Sequence, residues 1–166
     1  DVELTATEHC GIQQYTWHST EGKVILNIAN ATNWDATKTT DVEIVDSVTI
    51  RGSRFSDGWA KNQKVWFETR FSKPFNRVET DTVGGHVVTF SFDTQPGEKL
   101  VIVTAISGTD AHGAHNNIVA EAPHNNFDRY LLGAKSEWNK ILKKIEVNTG
   151  DIDEKTIFYT ALYHSL

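Results

Sequence analysis

Methionine is absent from the 166 residues, cysteine occurs once and proline three times. A lone Cys10 excludes an internal disulfide and any cysteine-rich zinc site. With three prolines and eleven glycines, collagenous and low-complexity chains are excluded as well. The longest apolar runs, such as Val101-Ile102-Val103, are far too short to cross a bilayer as a helix, so no membrane span is expected. Positive charge is also scarce. Sixteen Lys and Arg face 22 Asp and Glu, for a formal charge of −6 and a pI near 5.6. An acidic surface repels phosphate backbones, which argues against a nucleic-acid partner. An opening at Asp1 without Met, with no signal peptide, and an end inside an apolar segment are expected of a piece of a longer protein.

What is present suits one globular domain. Hydrophobic residues make up 39% of the chain and aromatics 10%, enough to build a core. The first two-thirds read as strands. Val2–Thr7 alternates apolar and polar residues, and Ile12–Trp17 and Lys23–Ile28 follow across the turn-like Ser19-Thr20-Glu21-Gly22. Val42–Ile50 is rich in β-branched residues, with Arg51-Gly52 as its stop. Lys64–Phe71 places Val65, Phe67, Thr69 and Phe71 on one face and Trp66, Glu68 and Arg70 on the other. His86–Phe92 and Lys99–Ile106 make a further pair. No helix lies between these strands to support parallel crossovers, so the pattern predicts an antiparallel sandwich.

The period then changes. Phe127, Tyr130, Leu131, Ala134, Trp138, Ile141, Leu142 and Ile145 recur at three- and four-residue intervals, predicting an amphipathic helix over 126–143 capped by Asn125 or Asn126. Lys144–Val147 reads as a short strand, Asn148–Asp151 as a turn and Asp153–Leu166 as helical. The fold class expected is therefore mainly β: an antiparallel β-sandwich followed by an amphipathic helix and a truncated helical segment.

Site chemistry is sparse. His112 and His115 sit in a polar loop reading Asp110-Ala111-His112-Gly113-Ala114-His115, but a zinc site needs a third ligand from His124, Asp110 or Glu121, and no recognised spacing supplies one. No metal site is predicted. Cys10 and His9 are neighbours on a strand and point to opposite faces, so Cys10 reads as a buried structural thiol. Gly84-Gly85 and Gly108 lack the flanks of a phosphate-binding loop. The 22 acidic residues supply carboxylate pairs by chance, and most lie on presumed wet faces. Asn30-Ala31-Thr32 matches a glycosylation sequon. Among the five tryptophans, Trp138 lies on the helix stripe and reads as packing. Trp34 and Trp59 lie in polar loops, where an indole can stack on the apolar face of a sugar or fold back over the sandwich edge.

Four stretches in order carry a resemblance. They are Val2–Ile12 with Tyr15-Thr16, Arg51–Ala60 followed by Phe67–Phe75, Ala120–Pro123 leading through Asn126-Phe127-Asp128 to Trp138–Leu142, and Phe158–His164. Together they resemble glycoside hydrolase family 92, calcium-dependent exo-acting α-mannosidases, over nearly the whole chain. The resemblance implies a supersandwich-like N-terminal β-domain over 1–122, a helical linker over 123–151 and the start of an (α/α)₆ catalytic barrel over 152–166. It implies inverting hydrolysis of terminal mannose on glycans by the full-length enzyme. The general acid, the general base and the calcium lie in the barrel, so no catalytic residue and no metal ligand maps onto this chain, which is expected to be inactive alone. Its partners would be its own catalytic domain and mannose-containing glycans, in a bacterial periplasm or outside the cell. Trp59, His112 and His115 are the candidate substrate contacts. Two other readings remain open: a free-standing carbohydrate-binding sandwich without catalysis, and a structural module whose apolar stripes at Phe127–Ile145 and Phe158–Leu166 pair between chains.

Overall fold

A computed structural model describes residues 1–30, 34–81 and 87–166. Ala31 and Thr32 of the sequon, the Gly84-Gly85 pair and His86 lie outside the described residues. Within them the strands are β1 (Val2–Ala6), β2 (Cys10–Thr16), β3 (Glu21–Asn27), β4 (Ala36–Ile44), β5 (Thr49–Asp57), β6 (Gln63–Phe71), β7 (Arg77–Asp81), β8 (Val87–Asp93) and β9 (Lys99–Ser107). The helices α1 (Ala111–Glu121), α2 (Phe127–Leu142) and α3 (Ile152–His164) complete the chain. None is long and apolar enough to cross a membrane.

All strand pairs are antiparallel. One sheet has the order β1-β2-β9-β6-β5-β4 and the other β3-β8-β7. The predicted period of two decides which residues meet between the layers. Phe67 and Phe71 of β6 and Leu100 and Ile102 of β9 face Val88, Phe90 and Phe92 of β8. Phe71 lies 5.3 Å from Phe90 and 5.5 Å from Phe92 between ring centroids. Each fully buried phenylalanine contributes roughly 1.5–3 kcal/mol through apolar burial.

The alternate residues of the six-stranded sheet are buried too. Cys10 and Ile12 of β2 and Val101, Val103 and Ala105 of β9 pack under Ile118, Ala122, Phe127 and Tyr130. Helices α1 and α2 thus cover the face opposite the sandwich core, and β9 reads as a near-continuous apolar run because both its faces are covered.

Several boundaries differ from those predicted. Val42–Ile50 is not one strand: β4 ends at Ile44, the chain reverses, and β5 begins at Thr49. The Asp46 side chain accepts from the Val48 N–H at 2.7 Å to hold that reversal. Arg51-Gly52 lies inside β5 rather than ending a strand. A Cβ at Gly52 would sit 2.2 Å from the Asp41 carbonyl oxygen and 2.5 Å from the Phe67 ring, so glycine here serves close packing, not a turn. Lys144–Val147 forms no strand. The predicted α2 is present, with Asn126 accepting from the Arg129 N–H at 3.1 Å. Helix α3 is capped by Asp151, which accepts from Asp153 and Glu154.

Candidate functional site

Register gathers the candidate loops at one end of the larger sheet. Ala36 pairs with Asp57, Ser56 with Gln63, and Trp66 with Ser107. The start of β4, the β5–β6 turn and the passage from β9 into α1 therefore share that end.

Trp59 at the tip of the β5–β6 turn is 90% exposed, so it does not fold back over the sandwich. Trp34, just ahead of β4, is 59% exposed, and the two ring centroids lie 6.1 Å apart with planes tilted by 46°. The residues next to the two indoles are fastened. Asp57 accepts the Asn62 N–H at 3.0 Å and pairs with Lys38 at 3.3 Å. Asn62 takes a φ of 57°, a left-handed conformation that asparagine tolerates. Asp35 pairs with Arg54 at 2.8 Å. The Arg54 guanidinium holds the Asp35 carboxyl below the usual carboxylate range, and the Asn62 N–H with the Lys38 ammonium does the same for Asp57. At Gly58 a Cβ would stand 2.7 Å from the Asp35 Cβ, so the two loops close on each other only because this residue has no side chain.

His112 and His115 are not in a loop. They occupy the first turns of α1, whose N-cap Asp110 accepts the Gly113 N–H at 2.7 Å. Their rings stack at 6.3 Å and 18°. The structure thus brings Trp59 to Trp34 and His112 to His115, as two separate ring pairs. Sequence reasoning missed the group beneath the second pair. Glu68 sits on the predicted wet face of β6 but is 0% exposed, because α1 covers that face. Its oxygens bind Arg51 Nε at 2.8 Å, Arg70 Nε at 3.0 Å, Arg70 Nη2 at 2.8 Å and His115 Nδ1 at 3.0 Å. Burial pushes the Glu68 carboxyl up, but Arg51, His115 and Arg70 outweigh it and hold the group below its ordinary value. An ionised Glu68 can only accept, so His115 turns its Nδ1 toward it as a donor.

A second carboxylate fastens the other end of α1. Glu121 accepts from Thr7 Oγ1 at 2.6 Å and from the His9 N–H at 2.9 Å, and its other oxygen meets His9 Nδ1 at 2.6 Å. Beside it a groove of about 960 Å³ runs between the β1–β2 turn and α2, past His124, Tyr130 and Trp138. Trp138 packs on Tyr163 at 4.6 Å yet stays 39% exposed at the groove wall, so it is only half the packing residue predicted. Cys10 is buried beneath the helices, and burial pushes its thiol up, as suits a structural residue.

Similarity to known proteins is clearest in the fold. The family profile described as glycosyl hydrolase family 92 N-terminal domain matches residues 1–107, and the one described as that family's catalytic domain matches 113–166. No curated protein sequence matches. The family GH92 α-mannosidase BT3965 from Bacteroides thetaiotaomicron superposes with a TM-score of 0.91 at 24% identity, over 98% of this chain and 24% of that one. The same enzyme in complex with mannoimidazole superposes equally well. The inverting mannosidase BT2199 from the same organism gives 0.84 at 22% identity, over 99% of this chain and 24% of its own. The present chain thus spans about a quarter of those structures. Strand order, the covered outer face and the two matched profiles lead to one assignment: the chain belongs to glycosyl hydrolase family 92, with residues 1–107 as its N-terminal domain.

Proposed function

We propose that these residues are the non-catalytic N-terminal portion of an exo-acting α-mannosidase that removes terminal mannose from glycans with inversion. The observation that carries the reading is the consecutive match of 1–107 and 113–166 to the two domains of one family. In this reading the carboxylates that protonate the leaving oxygen and activate water lie outside the chain. Calcium is assigned to that outside portion too. Among the described residues no three His, Cys, Asp or Glu side chains converge as metal ligands.

The sandwich would serve two ends. It offers Trp59 and the His112–His115 pair toward the sugar. Its α2 and α3 present apolar side chains for the rest of the catalytic domain: Leu132, Ile152, Ile157 and Leu166 are exposed, and α3 buries none of its residues. In this reading the enzyme meets its glycans in the periplasm or outside the cell. The test is to express the complete reading frame and follow mannose release from α-mannosides, with the product anomer read by NMR and a calcium chelator added. Release of β-mannose that the chelator stops is the expected result. No release from any α-mannoside overturns the reading. The exposed Trp34–Trp59 pair favours a second reading, a free-standing carbohydrate-binding sandwich. A native protein of 18.6 kDa, seen with antibody to this chain, would select it.

A further inference from the structure

We propose that Trp34 and Trp59 form a stacking seat for a neutral pyranose, one mannose ring of an α-linked glycan. The choice of mannose rests on the mannosidase reading above; the choice of a pyranose rests on the seat itself.

Four observations carry it. Two indoles stand 59% and 90% exposed at adjacent loop tips, while the phenylalanines of the sandwich core are buried. A centroid separation of 6.1 Å and a tilt of 46° open the pair into a shallow V rather than a closed stack. A sugar ring lying on one indole by its C–H face then meets the edge of the other. The seat is also built before any ligand arrives. Asp35–Arg54, Asp57–Lys38 and the Asn62 N–H hold the residues beside the two indoles, and Gly58 lets Asp35 approach the β5–β6 turn. Finally, neither carboxylate is left as a bare negative charge. Asp35 is paired with Arg54 and Asp57 with Lys38, with the Lys61 ammonium also near Asp57, and the carboxylates keep acceptor positions for hydroxyl groups. Aromatic faces beside neutralised carboxylates suit a polyhydroxylated, uncharged ring.

The test uses the 166-residue chain with α-linked mannotriose, followed by tryptophan fluorescence and saturation-transfer NMR, with maltotriose as control. Millimolar binding is expected, with preference for mannotriose. Trp59→Ala and Trp34→Ala should each weaken it tenfold or more while the dispersed amide spectrum persists, and Trp138→Ala should leave it unchanged. Gly58→Ala keeps both indoles but pushes the loops apart, and should weaken binding as well. Absence of binding, or binding unchanged in Trp59→Ala, overturns the seat. Maltotriose bound equally well overturns the assignment to mannose. In the full-length protein, Trp59 shielded from acrylamide quenching would mean that protein covers the indole, and that too overturns it. Failure here is separable from failure of the mannosidase reading, since mannose release is measured on the full-length enzyme.

Discussion

Replacing Glu68 by Gln tests how α1 is held on the sheet. The substitution keeps the shape and removes the charge that Arg51, Arg70 and His115 share. An amide in that place offers one acceptor oxygen, and turns an NH₂ group toward guanidinium and imidazole donors. Breaking a buried ion pair costs about 3–5 kcal/mol when both partners are dry. Here the arginine side chains are 34% and 30% exposed, so water recovers part of their solvation. A cost of about 2–3 kcal/mol is the expected balance. For a chain of this length that lowers Tm by about 5–10 °C.

The pH dependence sharpens the test. The folded-state pKa of Glu68 lies below its ordinary value of 4.5, so its contribution is present above that value and is lost as pH falls through the folded pKa. Urea unfolding of the wild type and of Glu68→Gln, followed by tryptophan fluorescence at pH 7 and below pH 4.5, reads the difference. The gap should be full at neutral pH and shrink in acid. A variant within about 0.5 kcal/mol of wild type at neutral pH, or a gap that does not change with pH, would refute the reasoning.

Four further outcomes rest on the same geometry. Ile118→Ala empties a side chain that is 0% exposed between α1 and the sheet, and should cost about 2–5 kcal/mol in urea unfolding. Gly52→Ala drives a methyl into the Asp41 carbonyl and the Phe67 ring, and should leave little folded protein by circular dichroism. The Glu121–His9 contact should be strongest in mildly acidic solution. The hydrogen bond to Glu121 raises the His9 pKa, so its contribution is complete below 6.5 and is lost as pH rises through the raised value. Burial raises the Glu121 pKa, but Thr7 and His9 outweigh it and lower the net value, so that contribution is lost as pH falls through it. The stability difference between wild type and Glu121→Gln should therefore peak between the two; a flat difference rejects this. Helix α3 buries none of its residues, and a helix of 13 residues is marginal by itself, so its amides should exchange much faster than those of β9.

How far the sequence could be read depended on whether local pattern and tertiary contact agreed. Strands β1, β2, β3, β6, β8 and β9 were legible because their alternation matches two faces of unlike burial or a continuous apolar run. Helix α2 was legible because Phe127, Tyr130 and Leu131 begin a stripe that packs as one. The turn at Val45–Val48 was not, since Val45 and Val48 carry the β-branched pattern into it, and the reversal is closed by the Val45 and Asp46 N–H groups donating to the Thr49 carbonyl, with the Asp46 side chain accepting from Val48. Helix α1 was hidden by its composition. Gly113, Asn116 and Asn117 lower helical propensity, and only Ala114, Ile118 and Ala122 mark its buried side. The aspartate cap at Asp110 was the one local sign of it.

That hidden helix also accounts for the missed carboxylate. Alternation along β6 correctly separates Phe67 and Phe71 from Glu68 and Arg70. It says which residues share a face, and nothing about what lies above that face. Once α1 covers it, an acid there must be neutralised, and Arg51 and Arg70 stand within hydrogen-bond reach to do so. The residues that betray a buried acid are therefore not on its own strand alone. Arg51 lies directly opposite in the β5–β6 register, and His115 lies 47 residues away on the covering helix. Cross-strand pairing alone does not reveal a covered face, since Lys38 of β4 and Asp57 of β5 pair in the open; it is the meeting of two arginines and a distant histidine on one acid that marks the enclosure. The half-buried acids Asp35 and Asp57 differ from the fully buried Glu68 in what they can do. Their partners neutralise them without enclosing them, which leaves oxygen lone pairs open to solvent beside two exposed indoles.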